Sequence, residues 1–133
     1  LATAYAAQGA LLLALAASLG SLWRSRAAYE LKAAALPLAC LLATPYVLDY
    51  DMVVVAIAIA FFARHGFAHG FRAYEISLLA AAWFTPLVAR GVMGATGVPL
   101  GLLVLAAFYA LILHRATRDT RASTTVSDRL ASA

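Results

Sequence analysis

Charge is what this chain has least of. Only 12% of its 133 residues are Asp, Glu, Lys or Arg, where a soluble domain has about 25%. With 65% hydrophobic residues and a mean hydropathy of +0.88, that excludes an ordinary water-soluble domain. The composition is that of a membrane protein. Lysine is almost missing: Lys32 stands against nine arginines. Together with the high Ala and Leu content, this reads as a bacterial chain from a GC-rich genome. Cysteine is down to Cys40 alone, which rules out an intrachain disulfide and, inside an apolar run, reads as a small buried side chain. The first segment has no charged start and is followed by further apolar segments, so it is not a signal peptide. The net charge of +4 does not suggest nucleic acid, because the basic residues lie between apolar segments rather than in one patch. The first residue is Leu1, not Met, so the chain reads as a piece of a longer protein.

What is present is a series of apolar segments divided by short polar ones. Residues 1–23 form the first, long enough to span a bilayer, which needs roughly 20 residues. Arg24, Arg26, Glu30 and Lys32 make a charged loop. The second segment runs from Leu31 to Leu48 and the third from Met52 to Ala63; each is shorter than a full span before its polar break. Arg64, His65, His69 and Arg72 read as the next polar loop. The two histidines, four apart, are loop and interface residues rather than a metal pair. A fourth segment covers Ile76–Ala89 and is ended by Arg90. Gly91, Gly94, Gly97 and Pro99 mark a turn, and a fifth segment covers Val98–Leu113. The expected fold is all-α: a polytopic transmembrane bundle of about five spans or half-spans over residues 1–114. A basic tail over residues 115–133 is expected to be disordered.

The positive-inside rule orients the bundle. With the Arg24–Lys32 loop in the cytoplasm, Arg24, Arg26, Lys32, Arg64, Arg72, Arg115, Arg118, Arg121 and Arg129 fall inside and Arg90 alone outside; nine and one account for all ten basic residues. The N-terminus of the chain is then outside and the C-terminus cytoplasmic, in a bacterial inner membrane. Asp49 and Asp51 become the only acids facing out.

They belong to the run Thr44-Pro45-Tyr46-Val47-Leu48-Asp49-Tyr50-Asp51, which is flanked on both sides by Ala, Leu and Val. A carboxylate in or beside hydrocarbon costs roughly 2.5–3.5 kcal/mol on insertion scales, which makes it a functional candidate. Pro45 should push Thr44 out of helical geometry and end the second helix. Asp51, directly before Met52-Val53-Val54-Val55, is well placed as a helix N-cap. Tyr46 and Tyr50 suit an interfacial aromatic belt. Asp49 has no such structural task. On a helix it shares a face with Tyr46 and Tyr50, a polar patch with aromatic walls of the kind that holds a sugar. Asp49-Tyr50-Asp51 also fits the Asp-x-Asp pattern of metal-dependent nucleotide-sugar enzymes, but the outward location argues against a cytoplasmic nucleotide-sugar donor. No metal or other cofactor is expected. Arg90 can meet an anionic phosphate near the aspartates or snorkel to headgroups.

The run Leu41–Val55, with its Thr-Pro-Tyr-x-x-Asp-Tyr-Asp core and following apolar helix, resembles the late segment of glycosyltransferase family 87. The basic loop before it, the Arg/His/Gly loop after it and the last pair of spans before a basic tail agree, over about Leu11 to Arg115. The resemblance implies the GT-C architecture and a mannosyltransferase-like enzyme. Such an enzyme moves a hexose from a polyprenyl-phosphate carrier to an acceptor on the outer face, with an acid as general base. The family's best-known base lies in a first outer loop, before the point where this chain begins. Asp49 then stands as the catalytic candidate here, with Tyr46, Tyr50, Asp51 and Arg90 as substrate-binding candidates. The expected partners are the bilayer, the polyprenyl-phosphate sugar and the N-terminal half of the protein, and the chain alone should be inactive. The competing class is a transport or structural multispan protein without transferase chemistry.

Overall fold

The structure is a computed structural model that describes residues 2–44 and 53–131. Among these residues the secondary structure is helical: α1 (Ala2–Arg24), α2 (Tyr29–Ala43), α3 (Val54–His69), α4 (Glu75–Thr96) and α5 (Leu100–Ala131). Successive helices run in alternating directions, which gives the bundle two ends. One carries Arg24, His69, Arg72 and Arg115 and is called the basic end below. The other holds Ala43, Thr44, Val53 and the α4–α5 turn.

Among the described residues, three stretches are long and apolar enough to cross a membrane: Tyr5–Arg24, Glu75–Thr96 and Leu100–Arg129. Their outer surfaces suit lipid. Leu11, Leu12 and Leu13 of α1, Trp83, Phe84, Leu87 and Val88 of α4, and Leu102 and Leu103 of α5 are all exposed, an apolar area that would be a liability in water. The two helices that flank the polar run are short. At 1.5 Å per residue, the 15 residues of α2 reach about 22 Å and the 16 of α3 about 24 Å. α2 lies at the centre of the bundle, in contact with α1, α3 and α5. Leu31, Ala34, Ala35 and Leu38 on it have no exposed surface. Small side chains at Ala34, Ala35 and, on α3, Ala58 let backbones approach closely, which is how helices pack where apolar burial gives no driving force. Phe62 of α3 meets Phe108 of α5 edge to face at 5.6 Å between centroids.

Helix ends are served by neighbours. Lys32 Nζ donates to the carbonyls of Trp23 (3.2 Å) and Ser25 (2.8 Å), closing the end of α1, and Gln8 Nε2 donates to the carbonyl of Ala43 (2.9 Å), closing the end of α2. Such orphan carbonyls need partners all the more where water is scarce. Thr44 has left the helix, at φ −83° and ψ 121°, as expected of a residue before proline.

Four expectations need correction. His65 and His69 are not in a loop: α3 continues through both and stops at Gly70, whose φ is 82°. Arg90 does not end α4. The helix passes Gly91 and Gly94, which membrane helices tolerate, and stops at Gly97, φ 70°, whose N–H bonds to the carbonyl of Met93. The chain does not become disordered at residue 115. α5 continues to Ala131, and Arg115 and Ala116 are buried. Cys40 is exposed, on the same face of α2 as Leu36, because the buried face of that helix is set by Leu31, Ala34, Ala35 and Leu38.

Candidate functional site

The sequence points to the end away from the basic residues. Tyr46, Asp49, Tyr50 and Asp51 lie outside the described residues. Val53, the residue before α3, has helical dihedrals (φ −59°, ψ −30°) and provides no side-chain cap. Arg90 is described. It lies on α4, exposed, six residues before the helix stops.

Arg90 lines a cavity of about 690 Å³ between α2, α4 and α5. Thr44 lines it too, at the point where the chain enters the 45–52 run. Most other walls are apolar: Leu41, Leu42, Pro86, Met93, Leu100 and Leu105. Gly94 on α4 and Gly101 on α5 line it as well. α5 packs on α4 at Gly101, where an added Cβ would lie 3.7 Å from that of Ala89, an ordinary van der Waals contact. One cation in an apolar cleft can hold an anionic group whose remainder is hydrocarbon.

The basic end holds a polar cluster that the sequence reading missed. Arg115 of α5, with 3% of its side chain exposed, donates from Nη1 to both oxygens of Glu75 at 2.7 and 2.8 Å. Its Nη2 donates to the carbonyl of Gly70 (2.9 Å) and its Nε to Asp119 Oδ2 (3.1 Å). Glu75 also accepts the backbone N–H of Arg72 (2.8 Å), and Arg72 Nη2 donates to Asp119 Oδ1 (2.7 Å). His65 Nε2 lies 3.1 Å from Asp119 Oδ2. That oxygen belongs to a carboxylate, so the imidazole proton is assigned to Nε2. His65 Nδ1 is then an acceptor, buried and without a partner. The His69 ring stacks on that of His65 at 4.4 Å.

Two carboxylates and two guanidinium groups balance, with every guanidinium face of Arg115 engaged. The cluster ties the short 70–74 loop to α5 and joins α3, α4 and α5. Tyr74 completes the turn at φ 67°, unusual for a side chain other than glycine or asparagine. A sequence signal did exist: Arg115 and Asp119 are four apart on one helix face, and Glu75 directly precedes the fourth apolar segment. Nothing in the sequence links positions 40 and 54 residues apart. Among the described residues no group of three or more His, Cys, Asp or Glu side chains could hold a metal ion.

No protein-family model, curated protein or solved structure matches the chain.

Proposed function

We propose that this chain is the C-terminal membrane part of a glycosyltransferase that moves a mannose-like hexose from a polyprenyl-phosphate carrier to an acceptor on the outer face of a bacterial inner membrane. The observation that carries the reading is the cavity in which Arg90 and Thr44 stand among apolar walls, at the point where the chain enters the Tyr46–Asp51 run. A polyprenyl phosphate is that kind of ligand: one anionic group on a long hydrocarbon. Arg90 would hold the phosphate by charge-assisted hydrogen bonds, the leucines and Met93 the first isoprene units, and Asp49 would orient or deprotonate an acceptor hydroxyl. The nine-to-one division of basic residues between the two ends supports an outward cavity.

The test is binding by the purified chain in detergent. Polyprenyl-phosphate mannose should be retained in preference to the unphosphorylated polyprenol. Arg90→Gln should weaken retention by about tenfold or more, the value of a hydrogen bond to a charged group. Equal retention of the two lipids, or an unchanged Arg90→Gln, overturns the reading.

The alternative, a transport or structural protein, draws on the buried Glu75–Arg115 pair, since buried ionisable groups often mark ion paths. Here the charges are satisfied by one another and by the 70–74 loop, which is the arrangement of a clamp.

A further inference from the structure

α1 and α5 touch where Tyr109 of α5 meets Ser18 of α1 at 2.8 Å. Ser18 already donates to the carbonyl of Leu15 (3.0 Å), so Tyr109 is the donor in this pair. Toward the basic end a groove of about 640 Å³ opens between the two helices. Its apolar part is Leu22, Leu113 and Ala116; its polar part is Ser21, Ser25, Thr117, Thr120, Thr124, Thr125 and Arg121. A second depression, with Arg24 on its wall, shares Ser21 and Ser25 with the groove. Trp23 nearby is 46% exposed, and Phe67 and Tyr74 at the same end are 83% and 85% exposed. Aromatic rings beside arginines mark the level at which hydrocarbon gives way to headgroups.

The hydroxyls of the groove are already used as donors. Ser21, Ser25, Thr117, Thr120, Thr124 and Thr125 each donate to a carbonyl three or four residues back in the chain. What they offer a ligand is acceptor lone pairs. Arg121 offers donors and a positive charge. A ligand that fits must therefore bring an anionic group for Arg121, hydroxyl donors of its own for the Ser and Thr oxygens, and an apolar chain for Leu22 and Leu113.

We infer that this groove seats an anionic phospholipid with a hydroxylated headgroup, of the phosphatidylglycerol class. The phosphate faces Arg121, the headgroup hydroxyls donate to the threonine and serine oxygens, and an acyl chain follows α1 past Leu22. The site lies at the opposite end of the bundle from the Arg90 cavity and does not depend on that cavity's function.

The test is lipid occupancy of the whole purified chain by native mass spectrometry, with phosphatidylglycerol, phosphatidic acid and phosphatidylcholine added in turn. Phosphatidylglycerol should bind best and phosphatidylcholine least. Arg121→Gln should lower phosphatidylglycerol occupancy about fivefold, the effect of one arginine at an anionic surface. Arg118→Gln, on the same helix but not lining the groove, should not. Thr120→Val with Thr124→Val should abolish the preference for phosphatidylglycerol over phosphatidic acid yet keep the preference for both over phosphatidylcholine. Equal weakening by Arg118→Gln and Arg121→Gln reduces the effect to diffuse charge and overturns the proposal. Equal binding of phosphatidylglycerol and phosphatidic acid overturns the hydroxyl selection. Displacement of the lipid by millimolar glycerol 1-phosphate would mean a soluble phosphate site instead. Circular dichroism of each variant, matched against Arg118→Gln, separates lost binding from lost fold.

Discussion

The two ends of this bundle place their charges in different surroundings. At the basic end, Glu75, Arg115, Asp119 and Arg72 neutralise one another and lock a short loop against α5. At the other end, Arg90 lines an open apolar cavity next to the 45–52 run. A charge held by its neighbours fixes a shape. A charge on the wall of a cavity borders the space that a ligand would fill. The contrast separates residues that hold the fold from residues proposed to act on a substrate, although both sets break the same rule against charge in an apolar protein.

The largest expected effect is at the clamp. Glu75→Gln leaves Arg115 buried with its main anionic partner gone, and breaking one side of such a pair costs about 3–5 kcal/mol. Unfolding in detergent should show that loss. Glu75→Leu combined with Arg115→Met should regain most of it, because the desolvation of both charges disappears together. A double variant as unstable as the single one would mean that the cluster does more than hold the loop.

Between the two described stretches, Asp49→Asn should cut the proposed sugar transfer about 10²-fold or more if Asp49 orients or deprotonates a hydroxyl. Asp51→Asn should be mild, because Asn keeps the size and hydrogen-bonding reach of Asp. Transfer rates at equal membrane abundance decide between them. Activity lost in Asp51→Asn and kept in Asp49→Asn would exchange the two roles.

A smaller effect is expected at Gly66. It is buried on α3, and an added Cβ would meet the ring of Phe71. Gly66→Ala must displace Phe71 from its edge-on contact with Phe67, an overpacking cost of about 1–3 kcal/mol. It should loosen the 70–74 loop without changing ligand binding at Arg90. Amide exchange of the loop would report it, and unchanged exchange would mean that Phe71 moves freely.

The last prediction changes no energy but fixes the sides. In a Cys40→Ala background, a cysteine at Gly94 should be labelled from outside the cell and one at Ala68 should not. The reverse pattern would put the Arg90 cavity on the cytoplasmic face and remove the basis for outer-face chemistry.

Residue by residue, the sequence was readable where the signal was local. Pro45 set the end of α2 at Thr44, because proline acts on the residue next to it. The division of basic residues between two ends followed from alternating helices. It was misleading where distant partners decide. His65 looked like a loop residue beside glycines and arginines, but Asp119 arrives from α5 to bond it within the last turns of α3. Arg115 looked like the start of a solvated tail, but Glu75 and Gly70 bury it.

By itself, then, the sequence determined that the protein is helical and apolar, where α2 stops and which end gathers the arginines. These depend on composition, proline geometry and the count of segments. Only the tertiary structure decided that α5 continues to Ala131, that five charged or ionisable side chains meet at one end, and that Arg90 shares a cavity with Thr44. Each of those depends on which helix faces which. In an apolar chain, where nearly every helix face is hydrophobic, periodicity carries little of that information.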